Sequence, residues 1–152
     1  MTVRVTGTKE LIASFDRLKQ KTGKAVARGT TRAAMLVQGD ARRRVMKGPK
    51  SGRRYGKHRA SAPGQSPAND TGNLARSISV VAAAPAVEAV AYVQARTDYA
   101  AALEFGTLRA GRGRGTVIEA RPFLRPAMEA TRVRAAAIIK EELDKAFDGG
   151  SP

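Results

Sequence analysis

Apolar residues recur with a helical period along much of the first third of the chain. The very start differs: Val3 and Val5 alternate with Arg4 and Thr6 before Gly7, which predicts a short strand. Thr8 can then cap a helix reaching about Lys21, with Leu11, Phe15 and Leu18 on one face and Ile12 beside them. Lys9, Asp16, Lys19 and Gln20 take the other face, so this is a surface helix laid on something. Gly23 interrupts the pattern, and a second helix is expected from about Lys24 to Met46, with Val26, Ala33, Val37, Ala41 and Val45 as its seam. Small residues along that seam allow a neighbour to approach closely. Gly29 and Gly39 each cost such a helix about 1 kcal/mol relative to alanine.

From Met46 to Asp70 the periodicity vanishes. Gly48, Pro49, Gly52, Gly56, Pro63, Gly64 and Pro67 punctuate the segment, and Tyr55 alone could anchor it. Segments of this kind are functional or disordered, and residues 47–70 are read as a flexible basic arm. Period-two patterns return over Ser77–Ala84 and Val87–Ala95, an antiparallel pair turned near Pro85. A short helix is expected from Tyr99 to Phe105, capped by Asp98 and stopped by Gly106 in a left-handed conformation, then an Arg/Gly loop and a strand over Thr116–Ala120. Pro122 and Pro126 fit the edge of a final helix from Ala127 to Phe147, where no N–H is missed. Its apolar row is Ala135, Ile139, Leu143 and Phe147, with Glu141 and Glu142 on the wet side.

The fold expected is α+β: a small, mainly antiparallel sheet (Val3–Thr6, Ser77–Ala84, Val87–Ala95, Thr116–Ala120) packed against two long helices. All 152 residues are read as one domain, with 148–152 as a disordered tail. Alanine supplies much of the 42% hydrophobic content and aromatics only 5%, so the core should be thin. No apolar run approaches the ~20 residues of a membrane span. The N-terminus lacks a signal-peptide pattern, so the chain is expected to be soluble and not exported by a cleaved signal.

Charge changes the picture more. The formal net charge is +15, and nine basic residues from Arg42 to Arg59 meet no acid between Ala41 and Asp70. Such a surface calls for an acidic partner, whether nucleic acid, membrane headgroup or an acidic protein face. The bland reading of this charge is a GC-rich genome that favours arginine and alanine codons, since arginines are scattered as well as clustered.

Catalytic or metal chemistry finds little support. There is no cysteine, and the single histidine, His58, has no partner near it in sequence. The run from Gly52 to His58 is one residue short of a phosphate-binding loop and lacks its Ser/Thr. Gly111, Gly113 and Gly115 have the wrong spacing for a dinucleotide fingerprint and precede a strand. No catalytic, cofactor-binding or metal-ligating residue is therefore assigned, and no cofactor is expected. Glu104, between Leu103 and Phe105, is the acid singled out, either in an intersubunit ion pair or in an internal bridge to Arg121 or Arg125.

Several blocks resemble a known family. Asp98-Tyr99-Ala100, Leu103-Glu104-Phe105-Gly106-Thr107 and Arg121-Pro122-Phe123-Leu124-Arg125-Pro126-Ala127 follow the blocks Pro63-Gly64, Pro67-Ala68 and Asp70-Thr71-Gly72-Asn73-Leu74 with Ser77-Ile78. In this order they are similar to the tail-component family founded by the tenth gene product of phage HK-ninety-seven, the type 1 neck proteins. The resemblance implies a structural virion protein at the head–tail junction of a long-tailed phage or phage-derived particle, assembled in the host cytoplasm. It implies no catalysis and no membrane. Its implied partners are copies of itself in a ring and neighbouring stopper, adaptor, terminator or tail-tube proteins, with non-specific contact to packaged DNA as a further role. The alternative is a basic, sequence-nonspecific DNA-binding protein. Under the first reading Arg53, Arg54, Lys57, Tyr99, Glu104, Phe105, Arg109, Arg112 and Arg114 form assembly contacts, while Pro122, Phe123, Leu124 and Pro126 hold the last helix in place.

Overall fold

The computed structural model describes residues 8–83, 89–111, 113 and 115–148. Its elements are α1 (Thr8–Met46), β1 (Arg54–Tyr55), β2 (His58–Arg59), α2 (Asn73–Ser77), β3 (Ile78–Ala83), β4 (Val90–Ala95), α3 (Ala100–Phe105), β5 (Thr107–Ala110), β6 (Thr116–Ile118) and α4 (Leu124–Asp148). The α+β class with two long helices is as expected. The expected strand at Val3–Thr6 lies outside the described residues, as do Val87 and Glu88 and the tail beyond Asp148.

Two sequence expectations need correction. First, α1 runs unbroken through Gly23 for 39 residues. A glycine costs a helix only about 1 kcal/mol, and no proline accompanies it to make a stop. Second, among the described residues the strands do not share one sheet but form three antiparallel two-stranded ladders. β3 pairs with β4 over six residues, from Ile78 opposite Ala95 to Ala83 opposite Val90. Residues 116–118 pair instead with β5, Thr107 opposite Ile118 and Ala110 opposite Thr116, with a register irregularity between.

Antiparallel packing of α1 on α4 forms the largest contact among the described elements. Gly29 permits it, since a Cβ there would lie 3.0 Å from the Ile139 Cα. The close approach also rotates α4 from the expected orientation. Its buried residues are Ala127, Thr131, Glu142 and Ala146, while Ala135, Ile139 and Leu143 are half-buried and Phe147 is exposed. Glu142, expected on the wet side, is thus buried with its carboxylate paired to Arg28 at 3.2 Å and to Arg32. The Arg28 hydrogen bond holds this carboxyl below its ordinary pKa.

A single cluster carries the core: Ala41 and Val45 of α1, Leu74, Ala75, Ile78, Ala100, Phe123 and Ala127. Gln38 and Arg42 of α1 both donate to the Ile78 carbonyl, at 2.9 and 2.7 Å, which fixes the β3–β4 hairpin against the helix. Phe123 is the largest fully buried side chain. The amino-terminal part of α1 lies apart from all this, and every residue described from Lys9 to Lys21 is exposed.

Candidate assembly surface

Glu104 organises the stretch between α3 and α4. The expected cap, Asp98, makes no capping bond; Tyr99 stands at the capping position of α3 without a side-chain hydrogen bond. Backbone bonds, Ala100 N–H to the Thr97 carbonyl and Leu103 N–H to the Tyr99 carbonyl, start the turn instead. The helix presents Glu104, buried, to the beginning of α4. Its Oε2 accepts from the Phe123 and Leu124 amides at 2.8 and 3.0 Å, and Oε1 accepts from the Arg125 amide at 2.8 Å.

A helix leaves its first N–H groups without intrahelical partners. Here three are taken by one carboxylate, and the next residue, Pro126, has none to offer. The negative charge also sits where the helix dipole favours it. The internal bridge to Arg121 or Arg125 is corrected: the Glu104 carboxylate is the cap of α4, and no salt bridge to it occurs among the described residues. A signal was present. Arg121, Pro122 and Phe123, just ahead of α4, include no Ser, Thr, Asp or Asn, so an acceptor had to come from elsewhere.

Gly106 has φ 74° and ψ 167°, a positive φ as expected, but the chain is extended rather than left-handed helical. It turns directly into β5, and a Cβ there would sit 3.0 Å from the Ile118 carbonyl oxygen. This turn leaves Phe105 at 80% exposure and Leu108 at 76%, with Tyr99 and Val117 also exposed. Shallow depressions lined by these residues join α3 to the β5–β6 ladder. Arg109 is exposed on the same ladder; Arg112 and Arg114 lie outside the described residues. Of the four residues expected to seat α4, Phe123 is buried and Pro122, Leu124 and Pro126 are half-buried.

Residues 47–70 have more internal attachments than their composition indicates. Gly52 N–H bonds the Ala60 carbonyl at 2.8 Å and Ala60 N–H the Arg53 carbonyl at 3.0 Å, forming the base of the β1–β2 hairpin. Ser61 is fully buried, and its carbonyl accepts from Arg121 Nε at 3.1 Å. Further along, Gly64 N–H reaches the Ala120 carbonyl at 2.8 Å. Arg53, Arg54 and Lys57 occupy the exposed tip, where the Arg53 guanidinium lies 5.5 Å from the centre of the Tyr55 ring.

His58 gains a neighbour that its sequence position did not reveal: Nδ1 lies 3.6 Å from Asp70 Oδ1, a contact longer than a hydrogen bond. The two line a cavity of about 490 Å³ together with Ser61 and Arg121. Among the described residues no cluster of three His, Asp or Glu side chains could hold a metal ion. Nor is any helix of the described residues long and apolar enough to cross a membrane.

Two exposed surfaces stand out: an apolar face on α3 and β5–β6, and a cationic hairpin. The family model described as "Bacteriophage HK97-gp10, putative tail-component" matches residues 9–106, and the chain belongs to this family of phage tail components. The matched span runs from the free end of α1 to Gly106, so it includes Glu104 but stops short of the Arg-Pro-Phe-Leu-Arg-Pro block that Glu104 caps. No curated protein and no solved structure gave a match.

Proposed function

We propose that this tail component is a structural protein of the head–tail junction, where copies form part of a neck or tail-completion ring. The observation that carries the reading is the apolar face of Phe105, Leu108 and Val117, which no other described residue covers, on a subunit whose core is small. Contiguous apolar surface of this kind marks contact sites in soluble proteins. Membership of a family of structural tail components supports a role in the virion and weighs against catalysis. In this reading residues 47–70 are an assembly arm whose cationic tip docks on an acidic neighbour, and Arg109, with Arg112 and Arg114, flanks the apolar contact. The chain's full 152 residues act as one domain in this proposal.

Net charge +15 supports the second reading, a free DNA-binding protein held by phosphate contacts. One set of variants separates the two. Leu108→Asp should leave the melting temperature close to wild type, because Leu108 is exposed, yet prevent incorporation into particles. Changing Arg53, Arg54 and Lys57 to Glu should also block head–tail joining, while the free wild-type protein binds duplex DNA weakly at physiological salt. Tight duplex binding that falls ~10³-fold or more between 50 and 200 mM salt, with normal incorporation of Leu108→Asp, would favour the DNA-binding reading instead.

A further inference from the structure

Residues 47–70 run out and back as two limbs, 48–55 and 58–67, joined by a two-residue turn, Gly56-Lys57. The limbs lie close together. A Cβ at Gly48 would run into the Pro67 carbonyl oxygen, and one at Gly52 into that of Ser61. Ser61 and Pro67 on the returning limb are buried, whereas Arg53, Arg54, Tyr55, Lys57 and Arg59 at the tip are exposed. The basic tip therefore stands on a buried root.

That root is tied to one short piece of chain just ahead of α4. Arg121 Nε donates to the Ser61 carbonyl at 3.1 Å, the Gly64 amide to the Ala120 carbonyl at 2.8 Å, and the Ser66 hydroxyl to the Pro122 carbonyl at 3.4 Å. Arg121 is itself anchored twice: its amide donates to the Leu103 carbonyl at 2.6 Å and its Nη1 to the Glu119 carbonyl at 3.1 Å. Apolar packing adds little, because a cavity of about 490 Å³ is lined by Tyr55 and His58 of the hairpin and by Tyr99 and Leu103. Hydrogen bonds thus fix the hairpin where core contacts are missing. A planar guanidinium can bridge two carbonyls in a set geometry, which a lysine ammonium on a flexible stem does not reproduce.

We propose that Arg121 is a positioning residue that holds the cationic hairpin ready in the free subunit, so that docking does not have to order it. A segment that folds only on binding loses part of its contact energy to its own ordering, and a held hairpin avoids that loss. The proposal rests on the assembly-arm reading for what the hairpin docks on. The hold itself is a property of the subunit alone.

Amide hydrogen exchange on the purified full chain tests the hold. In the wild type the amides of Gly52, Ala60 and Gly64, each bonded to a backbone carbonyl, should be protected relative to an unstructured peptide. Arg121→Ala should make all three exchange roughly tenfold faster or more, the effect of losing a hydrogen bond from a charged donor. Amides of α1 and α4 should keep their wild-type rates, which a general loss of stability would not allow. Arg121→Lys keeps the charge without the fork and should recover only part of the protection. Wild-type exchange at the unstructured rate would overturn the proposal and leave an arm that orders on docking. Equal acceleration of arm and helices in Arg121→Ala would overturn it too, since Arg121 would then support the whole fold. Particle incorporation tests the use of the hold: Arg121→Ala should be incorporated less well than wild type, and normal incorporation with a loosened arm would show that docking does not draw on it. Normal incorporation of the variant with Arg53, Arg54 and Lys57 changed to Glu would remove the assembly-arm reading, while the exchange rates decide the hold on their own.

Discussion

Phe123→Ala is expected to destabilise the folded subunit by about 3–5 kcal/mol, the usual range for removing a fully buried aromatic ring. Phe123 has no exposed surface and stands in the one core cluster, among Val45, Ile78, Ala100 and Ala127. Its neighbours are mostly alanine or fixed in the backbone of α1 and the β3–β4 hairpin. Few of them have atoms long enough to collapse into the space left behind, which places the loss toward the upper part of that range. A loss this size is a large part of the 5–15 kcal/mol typical of a folded domain. Chemical denaturation of the purified variant measures it. A midpoint within experimental error of the wild type would mean that Phe123 is not the centre of the core.

Glu104→Ala should cost about 2–4 kcal/mol, since it leaves the amides of Phe123, Leu124 and Arg125 without their acceptor. Glu104→Gln is the informative companion. Its amide keeps one acceptor oxygen and sets an NH₂ group against N–H donors on the other side, so an intermediate loss is expected. The order wild type, Gln, Ala in thermal unfolding distinguishes a cap from a surface charge. Equal stability of all three would contradict the capping role. An intersubunit ion pair, by contrast, would leave the isolated subunit unchanged by either substitution.

Much of the fold was legible because α1 and α4 carry long periodic patterns. What failed did so where two local preferences compete. Gly23 looks like a stop in sequence, but a single glycine is a weak penalty against a helix that already propagates on both sides. The rotation of α4 could not be read from its own pattern. The row Ala135, Ile139, Leu143 and Phe147 is the more apolar one, yet the alanine and glycine face of α1 accepts Ala127, Thr131 and Ala146 more closely and shields Glu142 with two arginines. Strand pairing was hidden for another reason: β5 and β6 are four and three residues long, too short to name their partners.

The proposed assembly residues divide in the same way. Exposure of Phe105 and Tyr99 follows from arithmetic visible in sequence, since a six-residue helix cannot turn every apolar side chain inward. Glu104 was legible as an unusual acid and illegible as a cap, because its three donors lie 19 to 21 residues downstream. The first helix was read as laid on something. In the subunit no described residue covers it.

Electron microscopy of particles made with and without this chain tests the junction role most directly. Without it, filled heads and separate tails should accumulate unjoined, and supplying the wild-type protein in trans should restore joined particles. Normal numbers of intact, infectious particles in its absence would contradict a structural role at the head–tail junction.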